Sequence, residues 1–272
     1  MSLTTYEVHG LEGKKLPIIF HHNIIDKGGV EIANWHENIE LLYFTKGVGQ
    51  VLCNSTVYDM HAGDLFIVNS DLLHYVKKDK PCEYYCLSVD SAFLAENGIQ
   101  ARDILFNNFV RSDTVCALFD DVVNEMERTD SFQIAGVRSS LLSLIVHLCR
   151  HHSLGISLPK RERNTSDKSI KRALAYINDH LSARLSLEDI AAHVNLSKYH
   201  FAREFKKTTG MTVVAYVNAT RCRAANRLLL SRQHSVSEVA AMCGFENNSY
   251  FSKTFKRVMG CLPSEVDNTK RQ

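Results

Sequence analysis

Residues 235–260 read SVSEVAAMCGFENNSYFSKTFKRVMG, and residues 186–210 read SLEDIAAHVNLSKYHFAREFKKTTG. Ser186, Ala191 and Ala192 of the earlier stretch recur as Ser235, Ala240 and Ala241. After one inserted residue, Phe201, Phe205, Lys206 and Gly210 recur as Phe251, Phe255, Lys256 and Gly260. Each stretch opens on a capping box, Ser186 with Asp189 and Ser235 with Glu238, in which the hydroxyl and the acidic side chain satisfy the first N–H groups of a helix. Paired alanines then let a second helix cross closely. Asn195 and Gly244 follow, two residue types that tolerate a left-handed turn. The helix after each break carries aromatic anchors at i and i+4, with polar and basic side chains opposite. The pattern is a helix-turn-helix written twice.

Between the two units runs VVAYVNATRCRAANRLLLS, helical from Val213 to about Leu230 and roughly 27 Å long at about 1.5 Å per residue. A rigid spacer of that length holds two recognition helices about one duplex turn apart, roughly 34 Å. The side chains free to enter a groove are Ser197, Lys198, Tyr199, His200 and Arg203 in the first unit, and Asn247, Asn248, Ser249, Tyr250 and Lys253 in the second. Asn, Arg and Lys suit base edges, and Ser and Tyr suit phosphates. Charge agrees with this reading. Residues 160–272 hold 20 Lys+Arg against 10 Asp+Glu, whereas residues 1–159 hold 12 against 20, so the overall +2 conceals a basic part and an acidic part. A basic domain can approach a polyanion, because counterion release drives most nucleic-acid affinity. A plain helical bundle with solvated charges would have to explain the repeat as well.

Working back toward the N-terminus, residues 157–169, SLPKRERNTSDKS, hold a proline and six charges with no apolar pattern beyond Leu158, and read as a linker. Before it, apolar residues recur at helical spacing over 114–128 and 133–151. Ile134, Val137, Leu141, Leu144, Ile145 and Leu148 form one stripe, and Leu142, Val146 and Cys149 a second. A helix apolar on two sides has two surfaces to cover. A partner subunit is one way to cover the second, and packing against the chain's own strands is another. From about Ile18 to Val89 the runs are short and alternating, IELLYFT, QVLCN, TVYDM, LFIVN and CEYYCLSV, with KGVG and HAGD as turn signals between some of them. Such a series suggests a sandwich or small barrel.

Eight cysteines are scattered without a C-x-x-C pair, and several sit in apolar helical patterns, which points to reduced, buried thiols in a cytoplasmic protein. Cys82 and Cys86 flank Tyr84 and Tyr85 in a segment that reads as a strand, not a metal site. The stretch MSLTTYEVHG has no basic start followed by an apolar run, and no window approaches eighteen consecutive apolar residues. Secretion and membrane spanning are both disfavoured.

The run from Ile170 to Val266 resembles the DNA-binding domain of the AraC/XylS family of transcriptional regulators. Its most specific part is GFENNSYFSKTFKRVMGCLPSEV from Gly244; the first unit matches through Ile190-Ala191, Phe201, Phe205-Lys206, Gly210, Tyr216, Arg221 and Ala225. Leu262 departs from the small polar residue usual before the proline. Trp35 to Val76 resembles the cupin-type effector domain found ahead of this domain in many family members: His36, Glu40 and Gly47 match its first motif, Gly63-Asp64 and His74 its second. Metal-dependent cupins place two histidines, one residue apart, before the glutamate. Here the second of these is Asn38, and the usual proline of the second motif is Asn69. Two readings stand for His36, Glu40 and His74. Three donors remain a plausible facial set for iron or manganese; alternatively they are hydrogen-bonding groups which, with Trp35 and Tyr43, line a pocket for a polar ligand with apolar faces, such as a sugar.

The resemblance thus implies an α+β multidomain protein: residues 1–156 an N-terminal cupin-like β-barrel with trailing helices for effector binding and dimerisation, 157–169 a linker, and 170–272 an all-α double helix-turn-helix domain. The expected function is sequence-specific binding of double-stranded DNA under control of a small, sugar-like effector, as a cytoplasmic homodimer without cofactor or enzymatic turnover. An activator would also touch RNA polymerase. The alternative is a metal-dependent cupin enzyme or metal sensor tethered to a DNA reader.

Overall fold

The run IELLYFTKGVGQVLC alternates and then turns glycine-rich, and both halves belong to one strand. In the computed structural model, which describes residues 16–26, 33–54, 56–77, 80–101, 103–155 and 165–266, the strands are β1 (Ile18–Ile25), β2 (Ile39–Cys53), β3 (Thr56–His61), β4 (Asp64–Val68), β5 (His74–Lys77), β6 (Cys82–Val89) and β7 (Phe109–Arg111). Helices α1 (Ser91–Glu96), α2 (Asp113–Glu127) and α3 (Gln133–His151) complete this unit. A second compact unit holds α4 (Thr165–Asp179), α5 (Leu187–His193), α6 (Lys198–Thr209), α7 (Val213–Ser231), α8 (Val236–Met242), α9 (Asn248–Met259) and a 3-10 turn at Pro263–Glu265.

All pairings in the first unit are antiparallel, in the order β1-β6-β2-β4-β7, with β3 and β5 added to the far half of β2. The KGVG segment, expected to be a turn, is instead an irregularity within β2. The register against β6 shifts between Phe44 and Lys46. Gly47 takes φ +74, and a Cβ there would run into the Pro81 carbonyl. The bend lets one strand serve two sheets.

Alternation along β2 divides the core. Ile39, Leu41 and Tyr43 join Leu65, Ile67, Leu87 and Val89 against Phe119, Val122, Leu141 and Leu144 of α2 and α3. Leu42 and Phe44 face the other way, into an interior filled by Val51, Met60, Phe66, Val68, Val76 and Tyr84. The helical periodicity holds nearly to the residue for α2 and α3. Ile134 leaves the expected stripe, however, being 36% exposed beside Phe132 at 77%. Of the second stripe, Leu142 and Cys149 pack on the same core.

Part of the expected linker lies outside the described residues; its last residues, 165–169, are the first turn of α4, so the helical unit starts before Ile170. The repeat is visible in the backbone. Ser186 caps α5 and Ser235 caps α8, Asn195 (φ 58) and Gly244 (φ 79) turn the chain, and Phe201, Phe205, Phe251 and Phe255 are fully buried. Only Ser235 completes a capping box, its backbone N–H donating to Glu238. In the first unit the shorter Asp189 takes the Ser186 hydroxyl instead, at 2.6 Å.

Candidate nucleic-acid interface and effector site

The two recognition helices, α6 and α9, are held from below by their phenylalanines, which leaves the opposite faces to solvent. All ten residues singled out from the sequence are exposed, Tyr199 most of all at 84%. Their immediate neighbours divide them. Ser197 and Asn247 are N-caps, receiving the amides of His200 and Tyr250. Lys198 pairs with Glu188, Asn248 donates to Ser237 at 3.0 Å, and the Tyr250 hydroxyl accepts from Asn218. Arg203 approaches His200 at 3.1 Å and Glu204 at 3.5 Å on an open surface, and Ser249 and Lys253 are exposed on the second unit. The helix starts point positive dipole ends outward, as phosphate contacts require.

Arg221, noted in the sequence only as a matching position, ties the two units together. From α7 it donates to the carbonyls of Leu181 (2.8 Å) and Ala183 (2.7 Å), which follow α4, while its guanidinium lies 5.8 Å from the ring centre of Phe245, beyond α8. Burial lowers its pKa from the ordinary arginine value. An arginine that closes two helix-turn-helix units from the spacer between them leaves no local sequence signal.

In the sheet unit, His36, Glu40 and His74 come together at one end of the interior, all buried, with donor atoms within 4.8 Å of one another. His36 Nε2 lies 3.1 Å from Glu40 Oε2, and His74 Nε2 lies 3.2 Å from Glu40 Oε1. The Nδ1 atoms donate to backbone carbonyls, of Asn38 at 2.8 Å and Leu72 at 3.0 Å. Burial would raise the Glu40 pKa, but the two imidazoles hold it well below the usual carboxylate range. Asn38 does not join them: its side chain accepts the Ser91 amide. Asn69, in place of the proline, exchanges two hydrogen bonds with the Phe106 backbone.

Tyr43 is a correction. It lies three positions after Glu40, so it points to the opposite face of β2 and packs on Phe119 at 4.7 Å between ring centres. Trp35 is buried. A residue missed in the sequence replaces Tyr43. Ser88 stands directly opposite Glu40 in the β2–β6 ladder, is 1% exposed, and its hydroxyl has no hydrogen-bond partner among the described residues. Only the register reveals it, although a serine between Leu87 and Val89 in a buried strand was a faint sign.

Residues 30–145 match the model of the AraC-like ligand binding domain, and residues 190–269 match that of a helix-turn-helix domain. The chain is 30% identical to the regulatory protein PocR of Salmonella typhimurium over 69% of its own length and 71% of that protein's. It belongs to the AraC family of transcriptional regulators. Other relatives agree across more of the chain. The MmsAB operon regulatory protein of Pseudomonas aeruginosa is 29% identical over 87% of this chain and 77% of that one, and the transcriptional activator RhaS of Klebsiella pneumoniae is 27% identical over 85% of each. In this AraC-family regulator the helix-turn-helix domain binds DNA and the sheet domain binds a small-molecule effector. Among the described residues no helix is long and apolar enough to cross a membrane.

Proposed function

We propose that the regulator binds its operator through α6 and α9 and is controlled by a polar, oxygen-rich small molecule of the sugar or polyol class, bound at Glu40, His36 and His74. The reading of the effector rests on one observation: a buried carboxylate faced by two imidazoles and by a serine hydroxyl without a hydrogen-bond partner among the described residues. Hydroxyl groups suit such a lining, since each can donate to a carboxylate and accept from an imidazole or serine. Effector binding acts by differential affinity for two arrangements of the protein, with no turnover required. Arg203, Ser249 and Lys253 read or clamp the duplex. Ser197 and Asn247 shape the helix starts, and the protein works in the cytoplasm as a homodimer joined through α2 and α3, whose neighbouring Phe132 and Ile134 are exposed. The effector part spans residues 1–156, the linker begins at 157, and the DNA-binding part includes α4 from Thr165 onward.

Calorimetric titration of a panel of sugars and polyols into wild type and Glu40→Gln, beside a gel-shift assay without effector, tests this. A hydroxyl that donates to Glu40 loses a charge-assisted bond of about 1.5–3 kcal/mol in the variant, roughly tenfold or more in affinity. Basal DNA affinity stays at the wild-type level. Equal effector affinity in the two proteins removes Glu40 from the site.

A further inference from the structure

Neither duplex recognition nor the effector site uses the histidines of His147-Leu148-Cys149-Arg150-His151-His152, the run that ends α3. Residues four apart on a helix share a face, with Cβ atoms about 5–6 Å apart. His147 and His151 accordingly bring their ring centres to 4.6 Å. His152 would leave that face if the helix continued. Instead α3 stops at His151, and His152 takes φ −129 and ψ 9, which returns its ring centre to 5.8 Å from that of His147. Three imidazoles thus gather at one helix end.

The backbone beneath them is fixed. The His152 amide donates to the Leu148 carbonyl at 2.9 Å, and the Asn107 amide donates to the His152 carbonyl at 2.9 Å. The Leu154 amide donates to Leu105 at 2.7 Å, and Phe106 forms a β-bridge with Ser153. Leu144 and Leu148, fully buried in the core, hold the last turns of the helix down. The side chains are engaged far less. Among the described residues, the rings of His147, His151 and His152 meet one another and form no hydrogen bond or ion pair. Two of them, His147 and His152, are half-buried, so their nitrogens are partly withdrawn from water without a protein group in its place. The geometry points to a divalent first-row transition-metal ion bound at this helix end by the imidazoles of His147, His151 and His152. The site lies apart from Glu40 and from α6 and α9, and it stands independently of the roles proposed for them.

A spacing of four on a helix is the one by which two histidines chelate a single ion in helical zinc sites. Among the described residues only His36, Glu40 and His74 already bring three donor atoms within 4.8 Å, so the α3 rings close on the ion as it binds. That closure needs only turns about side-chain torsions, and the exposed His151 meets no packing resistance. Three nitrogens without a carboxylate or thiolate favour copper, nickel, zinc or cobalt over calcium, magnesium or manganese. Cys149, two positions from both His147 and His151, packs toward the core and does not join them. The backbone of His152 is held by Asn107, so an ion shared with His147 and His151 ties the last turn of α3 to the chain that precedes β7. Binding to the folded form alone stabilises it by mass action.

The test uses the full chain, stripped with EDTA and dialysed. Ni2+ and Zn2+ are titrated separately by calorimetry, and bound metal is counted by mass spectrometry after gel filtration. The double variant His147→Ala/His151→Ala is expected to take up one equivalent fewer than wild type, whatever metal the rest of the chain holds. Each single replacement, His152→Ala included, should lower affinity for that equivalent by about a hundredfold or more, since losing a ligand costs at least as much as losing an outer-shell partner. Ni2+ should raise the thermal midpoint of wild type by more than that of the double variant. His151→Ala alters an exposed side chain, so it decides the matter if the half-buried positions give variants that circular dichroism shows unfolded. Equal stoichiometry in wild type and the double variant overturns the site. Loss of the equivalent in Glu40→Gln but not in His151→Ala overturns it too, and saturation only at millimolar metal, the mark of adventitious binding, does the same.

Discussion

Asn218 on α7 donates through Nδ2 to the hydroxyl of Tyr250 on α9 at 2.8 Å, so the spacer helix grips the second recognition helix by its own first turn. Asn218 is 6% exposed and has little access to water as a substitute. Tyr250→Phe is therefore expected to cost about 1 kcal/mol in stability, read from urea midpoints. If Tyr250 also contacts a phosphate, the slope of log affinity against log salt falls by about one in the variant; an unchanged slope assigns the residue to holding α9 in place.

Arg203→Ala and Asn248→Ala should weaken operator binding while leaving the fold intact, since both side chains are exposed. Where either reads a base edge, the loss is about 1–3 kcal/mol and preference relaxes at one position of the site. Binding measured on operator and random duplexes checks this; an unchanged ratio in both variants moves the reading face elsewhere. Phe255→Ala, at a fully buried anchor, should lose about 3–5 kcal/mol of stability and binding along with it.

The two turns of the repeat should respond oppositely to substitution. Gly244→Ala places a Cβ 2.5 Å from the Leu181 carbonyl oxygen and 2.9 Å from the Arg221 guanidinium, at a φ of +79. A loss of about 1–3 kcal/mol is expected. Asn195→Gly, at an exposed left-handed residue, should stay within about 0.5 kcal/mol of wild type. Thermal unfolding of both variants gives the comparison.

Burial pushes the Cys222 thiol up to about 12 and the Cys243 thiol up to about 11. The folded protein thus holds these protons more tightly than the unfolded chain, whose thiols titrate near about 8.5. Their contribution is full below that value and is lost as pH rises toward the folded values, by at most about 1.4 kcal/mol per pH unit for each thiol. Urea midpoints between pH 8 and 10.5 should fall less steeply in Cys222→Ala than in wild type. Both thiols should also resist alkylation until the protein unfolds.

The helical unit was legible because its signals are local. Ser235 and Glu238 cap within one turn, Gly244 supplies its own backbone angle, and Phe251 and Phe255 lie on one face by spacing alone. Even there chemistry at the scale of one methylene escaped: Asp189 is too short to return the bond that Glu238 makes. The sheet unit was less legible because its signals are shared between distant strands. Lys46-Gly47 reads as a turn until β6 and Pro81 are seen to run alongside it. Strand β7 has only three residues and is set by pairing with β4, where Arg111 holds the buried Asp64 through two bonds.

The candidate site shows the same division. Glu40 and His74 were found through motif resemblance, and alternation could already have set Tyr43 apart from Glu40. Ser88 belongs beside Glu40 only through the β2–β6 register, which no single stretch of sequence carries.

On β2, Glu40 points into the interior while Ile39 and Leu41, bonded to it on either side, are wedged among the side chains that meet α2 and α3. Because a peptide plane is stiff and a packed core has no slack, a pull on the carboxylate by a fraction of an ångström is felt by the helical layer at once. The strand works as a see-saw whose pivot is its own backbone. With the effector bound at Glu40 as proposed, that pull reaches the helices packed on the other face of the strand. Hydrogen exchange along α2 and α3 should slow on effector binding and stay unaltered in Glu40→Gln; helices indifferent to the effector in wild type would show that the see-saw is locked.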